Sequence, residues 1–377
     1  MLYQEPLPPE YEQLDKPQLM ARIAERKRQL GPSLVILGHH YQNDDVIQFS
    51  DFVGDSLKLS QQAAGVSGAK YIVFCGVHFM AESADILCRG RATVLLPHMM
   101  AGCGMADMAE DDAVALAMDE VTHQAAAKVV PITYVNSTAA VKALTARYGG
   151  ACCTSSNVRN VFAWALAPAD QGGARADKVF AIPDQHLGLN TALAMGFAAE
   201  DCVVYDPRLN MGGLTAQQVR AAKFLLWKGQ CYVHQRFRVE QVQRVRQRRP
   251  GIRVIVHPEC PHEVVAAADA SGSTEQIIQA VTAAPAGSSW AIGTESNLVN
   301  RLAKRFTDKY ITTLSDTAAL CIQMARIDLV HLLHVLDNLA AGRIVNPVHV
   351  EESTAQLART ALERMIAIKP MQGLTSR

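Results

Sequence analysis

Three cysteines in this 377-residue chain stand in settings that suit a metal. Cys103 lies in Ala101-Gly102-Cys103-Gly104, and Cys231 follows Trp227-Lys228-Gly229-Gln230. Cys321 follows Asp316-Thr317-Ala318-Ala319-Leu320, near a predicted helix start. Flanking glycine leaves backbone room for a bulky ligand. A polar set recurs with them. His39 and Tyr41, Tyr134 and Asn136, and His257 and Glu259 each follow a short apolar run. Each pair is followed by a hydroxyl cluster that contains Ser56, Ser155 or Thr274. Carboxylate and imidazole beside a metal suit general acid–base work. Tyrosine can relay a proton, and asparagine can fix a carboxylate or carbonyl. Ser56, Ser155 and Thr274 read as helix N-caps, and helix N-termini also bind phosphate and carboxylate. His234, close after Cys231, can face the same cavity or serve packing alone.

The spacing ties these residues together. His39 to Ser56 and His257 to Thr274 both span 17 residues, and His39 to Cys103 and His257 to Cys321 both span 64. The middle set is longer, with 21 residues from Tyr134 to Ser155 and 97 from Tyr134 to Cys231. Its excess is assigned to the Gly149-Gly150 turn and the Ala-Pro-Gly-rich stretch from Ala165 to Ala176. A threefold internal repeat follows, and it selects Cys103, Cys231 and Cys321 from nine cysteines. Three thiolates can hold a four-iron cluster with one iron open as a Lewis acid. Zinc with three protein ligands and water is the alternative, and three buried cysteines without metal is the structural one. Cys75, Cys88, Cys202, Cys260 and the Cys152-Cys153 pair read as packing residues.

Elements that must position this set are visible as buried-strand runs. They include Leu34-Val35-Ile36-Leu37, Tyr71-Ile72-Val73-Phe74, Val179-Phe180-Ala181-Ile182 and Val254-Ile255-Val256. The intervening segments are long enough for crossover helices, which predicts α/β units with parallel strands. Ligands then bind at the strands' C-terminal ends, where the polar residues fall.

Composition narrows the function. Lys+Arg and Asp+Glu both total 36, which speaks against a nucleic-acid binder. The basic run Arg244, Arg246, Arg248 and Arg249 reads as a solvated helix end. The proline-rich, acidic N-terminus lacks a secretory pattern, and no apolar run reaches a membrane span of about 18 residues. Nine cysteines without a CxxC pair, in a chain expected to be cytoplasmic, argue against disulfides.

The ordered pieces GHHYQNDDV (38–46), GDSLKLS (54–60), AGCGMAD (101–107), YVNSTAAVKA (134–143), CTSSN (153–157), WKGQCYVHQRF (227–237), HPEC (257–260), GSTEQII (272–278) and IGTESNLVNRL (292–302) cover nearly the whole chain. Through them the chain resembles the quinolinate synthase family, the A protein of bacterial NAD biosynthesis. The resemblance implies an α/β fold of three Rossmann-like, three-layer α/β/α domains related by pseudo-threefold symmetry around a central active site. The expected division is a helical arm 1–30, repeats 31–120, 121–250 and 251–340, and a helical segment 341–377. It implies a [4Fe-4S] cluster on Cys103, Cys231 and Cys321. It implies condensation of iminosuccinate, supplied by L-aspartate oxidase, with dihydroxyacetone phosphate, giving quinolinate, phosphate and water. Carried over by motif, substrate contacts are His39, Ser56, Tyr134, Asn136, Ser155, His234, His257, Glu259 and Thr274. Tyr41 and Glu259 carry proton transfer, with His257 and Tyr134 also catalytic. A monomer or homodimer is expected.

Two departures stand out. Some members carry CxxCxxC near the third ligand, but here Cys321 precedes Ile322-Gln323-Met324, so a thiol switch is not expected there. The N-terminal arm is longer than in compact members. Two other functions fit fewer features: an open-iron hydro-lyase acting on a carboxylate, and a non-catalytic iron–sulfur sensor. The sensor would carry a basic or interaction element.

Overall fold

Among the described residues, thirteen parallel strands form three sheets, with one short antiparallel addition. A computed structural model describes residues 3–11 and 13–369. Expectations for residues 1, 2, 12 and 370–377, at the ends of the predicted arm and C-terminal segment, lie outside the described residues.

The first sheet holds β1 (Leu34–His39), β2 (Phe52–Gly54), β3 (Tyr71–Cys75) and β4 (Thr93–Leu95). The second holds β5 (Val129–Tyr134), β6 (Ala151–Cys153), β7 (Lys178–Ile182), β8 (Cys202–Tyr205) and β9 (Phe224–Trp227). The third holds β10 (Arg253–Val256), β11 (Ala270–Ser271), β12 (Ser289–Gly293) and β13 (Tyr310–Thr313). Each sheet has the same inner order. It reads β2-β1-β3-β4, β6-β5-β7-β9 and β11-β10-β12-β13. The first adds Pro347–Val348 antiparallel to β4, and the second adds β8 beside β9. Strands buried on both faces need near-continuous apolar runs, and β3, β5, β7 and β9 have them.

The longer spacing of the middle set therefore has a different main host than the sequence indicates. Most of the excess is β8 and the helix Ala216–Ala221 after it, inserted between β7 and β9. The Gly149-Gly150 turn and residues 165–176 take only the remainder. Adding a strand at a sheet edge leaves inner pairings intact, so it disturbs the strand ends least.

The chain forms two compact units. One comprises the described residues of Met1–Cys103 with Ser296–Arg301 and Leu320–Glu351, and contains the first sheet. Here the helix Lys16–Leu30 starts on an Asp15 capping box and packs on the helix Leu329–Ala340. Asp337 fastens that contact. It accepts from Arg22 at 2.6 Å, Arg26 at 2.7 Å and the Tyr11 hydroxyl at 3.0 Å. The other unit comprises Gly104–Glu295, Leu302–Ala319 and the described residues of Glu352–Arg377. Its core stacks Tyr205 on buried Trp227, with Phe180 tilted beside it, and the Trp227 Nε1 donates to the Met108 carbonyl at 2.8 Å. The helix Glu352–Ala367 packs against Ala139–Arg147 and β6, with Arg364 donating to the Gly150 carbonyl.

The basic run lies on the exposed helix Val239–Arg248 and its end. Arg244 and Arg248 pair with Asp316, Arg246 with Asp269, and Arg249 lies over the Tyr310 ring. Its charge is met within the fold. Among the described residues no helix is long and apolar enough to cross a membrane.

Asp337→Asn should lower unfolding free energy by about 1–2 kcal/mol, because it weakens two partly exposed charge-assisted bonds at once. Urea unfolding of the parent and variant measures it.

Candidate active site

The C-terminal ends of first strands carry the predicted residues. β1 ends on His39, β5 ends on Tyr134, and β10 runs directly into His257. His39 and His257 are held by one local device. The Tyr41 N–H donates to His39 Nδ1 at 3.1 Å, and the Glu259 N–H donates to His257 Nδ1 at 3.3 Å. A tight turn closes each, from Gln42 to the His39 carbonyl and from Cys260 to the His257 carbonyl, both at 3.0 Å. With Nδ1 accepting, each ring carries its proton on Nε2. His257 Nε2 donates to Ser155 Oγ at 3.2 Å. The His39 and Tyr41 rings meet edge-on at 4.7 Å.

Glu259 and His234 form the centre of the second unit's polar cluster. Both are almost fully buried, and His234 Nδ1 lies 2.7 Å from Glu259 Oε2. A carboxylate accepts only, so Nδ1 donates, and Nε2 lies 3.1 Å from Thr294 Oγ1. The His234 ring stacks on His257 at 4.3 Å and 13°. Tyr134 hydrogen-bonds the Glu259 carboxylate. Burial raises the carboxyl's affinity for a proton, but His257, His234 and the bonds from His234 and Tyr134 outweigh it, pushing Glu259 down to about 2. It is ionised at neutral pH, and so able to accept a proton but not to donate one. Burial and then the His234 ring push His257 down to about 3, so it is neutral. Cys231, His234 and Glu259 present ligand atoms within 4.8 Å of one another.

Hydroxyl residues occupy positions other than the predicted caps. Asp55 and Ser273 cap the helices Ser56–Gly65 and Thr274–Ala283, so Ser56 and Thr274 are first helical residues. Asn157 precedes the helix Val158–Leu166, and Ser155 lies two residues upstream. A shorter or more flexible acceptor wins the cap, which leaves the predicted hydroxyls to other contacts. Ser156 Oγ donates to Ser273 Oγ at 2.8 Å, which joins the Ser155 and Thr274 segments. Asn136 Oδ1 is buried without a hydrogen-bond partner in the protein.

Three residues escaped sequence reasoning. Thr294 follows β12, Asp184 follows β7, and Lys142 lies within the quoted motif at 134–143. Their signal was position, since Thr294 and Asp184 follow strand C-termini. The buried Asp184 carboxyl accepts from the Leu187 and Cys231 backbone N–H groups. Burial, then the Glu259 charge, hold it well above the usual carboxylate range. Lys142 Nζ, buried, donates to the Ser137 carbonyl at 2.5 Å and secures the turn that bears Asn136.

Each selected cysteine lies in the loop after the fourth inner strand of a sheet: Cys103 after β4, Cys231 after β9 and Cys321 after β13. Cys321 caps the short helix Ile322–Ala325. Gly229 brings the Cys231 loop against the end of β7, where any Cβ would meet the Pro183 carbonyl oxygen at 2.2 Å. Metal ligation needs thiolate. Cys75, Cys88, Cys152, Cys153 and Cys260 are buried. Burial pushes Cys75 and Cys152 up to about 12, and Cys153 and Cys260 well above the ordinary range. Half-buried Cys202, at the β8 edge, is pushed up to about 11, also by burial. Cys103, Cys231 and Cys321 are half-buried loop residues. A three-thiolate donor set suits a cluster with one iron left open.

Residues 21–367 match the family model described as quinolinate synthetase A protein. The chain belongs to this family. A quinolinate synthase of Streptomyces coelicolor is 53% identical over 356 residues, covering 93% of this chain and 89% of the relative. One from Acidobacterium capsulatum is also 53% identical, over 92% of both. One from Rhodopirellula baltica is 49% identical over 97% of this chain and 94% of the relative. Quinolinate synthetase A membership at such coverage agrees with the nine ordered motifs.

The site's ionisation sets an acid limit. Below about pH 6.5 the unfolded chain protonates His257 while the folded ring refuses the proton until about pH 3. Stability therefore falls as pH drops through that window. Glu259 adds a lower window: its contribution is present above about 4.5 and lost as pH falls toward about 2. His257→Gln should flatten the loss between pH 6.5 and 3, as read from urea midpoints at stepped pH.

Proposed function

We propose that the chain is a quinolinate synthase, condensing iminosuccinate with dihydroxyacetone phosphate to quinolinate, phosphate and water. The observation that carries this, beside the family, is the buried ionised Glu259 held by His234 and Tyr134 next to Cys231. The three sheets of common strand order are read as three Rossmann-like repeats about a pseudo-threefold axis, divided near residues 30, 120, 250 and 340. Cys103, Cys231 and Cys321 would hold the [4Fe-4S] cluster, which supplies Lewis acidity at its open iron for loss of water.

The chain's own groups do the rest. Glu259 keeps lone pairs beyond those used by His234 and Tyr134, and can take the proton from carbon beside the triose carbonyl. His234 Nδ1–H and the Tyr134 hydroxyl stabilise whichever charge state results. Tyr41 serves a second proton transfer. His39 offers Nε2–H to substrate oxygen, His257 can do so by giving up its bond to Ser155, and Asn136 Oδ1 accepts from substrate N–H or O–H. Ser56, Ser155 and Thr274, at or beside helix starts, bind phosphate and carboxylates. Burial of His234, His257 and Glu259 keeps bulk water from competing for these bonds. L-Aspartate oxidase would supply the unstable imine, in the cytoplasm.

A single zinc on Cys231, His234 and Glu259 is the alternative that geometry raises. It would have to replace the 2.7 Å His234–Glu259 bond, whereas a cluster on thiolates leaves that bond intact.

Anaerobically purified protein should form quinolinate from dihydroxyacetone phosphate and freshly generated iminosuccinate. Glu259→Gln should retain iron and sulfide while turnover drops by about 10²–10⁴-fold. Full activity in that variant removes Glu259 from the mechanism. Separately, alanine at Cys103, Cys231 or Cys321 should each abolish the parent's roughly four irons per chain, while Cys202→Ala keeps them. One zinc and no iron in the parent would overturn the cluster.

A further inference from the structure

The turn that carries Tyr41 is gripped by two side chains of one helix. In the helix Ser296–Arg305, Asn297 and Arg301 lie four residues apart and share a face. Asn297 Nδ2 donates to the Tyr41 carbonyl at 3.1 Å. Arg301 Nη1 donates to the His40 carbonyl at 2.9 Å, and Nη2 donates to the Gln42 carbonyl. Its Nε pairs with Asp44 Oδ1 at 2.8 Å. Three consecutive carbonyls, from His40, Tyr41 and Gln42, are thus occupied from one side.

The same turn is braced elsewhere. His39 Nδ1 accepts the Tyr41 N–H, and the Gln42 N–H closes on the His39 carbonyl. The fully buried Gln42 side chain donates to the Met324 carbonyl at 3.1 Å, in the helix capped by Cys321. A short polar turn at a sheet end does not require this many restraints for stability. Proton transfer does, because its geometry tolerates displacements of only about half an ångström. A guanidinium can impose them. Its planar fork reaches two carbonyls and a carboxylate at fixed angles, which an ammonium cannot do.

We propose that Arg301 and Asn297 are positioning residues that lock the backbone of His40–Gln42 and thereby aim the Tyr41 phenol. The proposal rests on the reading of Tyr41 as a proton-transfer residue. Neither residue touches the reacting atoms. They act through the peptide planes on both sides of Tyr41, so the phenol's direction is set before substrate arrives.

Arg301→Lys and Asn297→Ala are tested in the full-length, cluster-loaded protein under anaerobic conditions. Amide hydrogen exchange in residues 40–44 should accelerate about tenfold or more in Arg301→Lys, with iron and sulfide unchanged. The kcat for quinolinate should fall about 10–100-fold while KM changes little. Tyr41→Phe combined with Arg301→Lys should lose no more than Tyr41→Phe alone. Unchanged exchange overturns the lock, and so does full kcat despite faster exchange. Additive losses in the double variant also overturn it, because Arg301 would then act elsewhere. If Arg301→Lys fails to accumulate, Asn297→Ala is judged by the same readouts. A parent protein that makes no quinolinate would sink the functional reading, while the exchange comparison still judges the lock.

Discussion

An ionised carboxylate in a buried interior must be hydrogen-bonded or it takes up a proton. Glu259 satisfies that demand, and its neighbours are arranged by it. His234 must donate from Nδ1, which turns its Nε2 toward the Thr294 hydroxyl. Tyr134 must turn its hydroxyl toward the carboxylate. Burial first, and then the same charge, hold the Asp184 carboxyl well above the usual carboxylate range. One buried charge thus orients the His234 ring and the Tyr134 hydroxyl and acts on the Asp184 carboxyl.

Parallel sheets make such a cluster possible. Their crossover helices leave all strand C-termini at one edge, where backbone N–H groups and polar side chains collect without interrupting the apolar interior. β5, β7, β10 and β12 deliver Tyr134, Asp184, His257 with Glu259, and Thr294 in this way. The Cys231 loop joins them because Gly229 lets it pass close over the end of β7.

Much of this was legible in the residues, and the failures are instructive. Apolar runs marked the inner strands because those strands are buried on both faces. Matching offsets between the first and third sets worked because both sheets have four inner strands joined by crossovers of similar length. The middle set misled: β8 is an edge strand with an exposed Val204, so its signal resembled an ordinary additional strand rather than an insertion. Ser56 and Thr274 were misplaced by one residue at helix starts, since Asp55 and Ser273 compete for the same cap and win it. Tyr134 and Glu259 were readable as chemistry, but their mutual bond was not, because it joins residues 125 positions apart. Asp184 had no partner in sequence to mark it.

The histidine turns at His39 and His257 have a further consequence. Each ring commits Nδ1 to its own backbone, so each presents an uncharged dipole and not a cation. A dipole's attraction fades faster with distance than a charge's and is little affected by dissolved ions. These two rings therefore contribute almost nothing to drawing an anion in from solution. Under the proposed function each would judge an anion only on arrival, by where its oxygens lie, and that judgement should hold across a wide range of ionic strength.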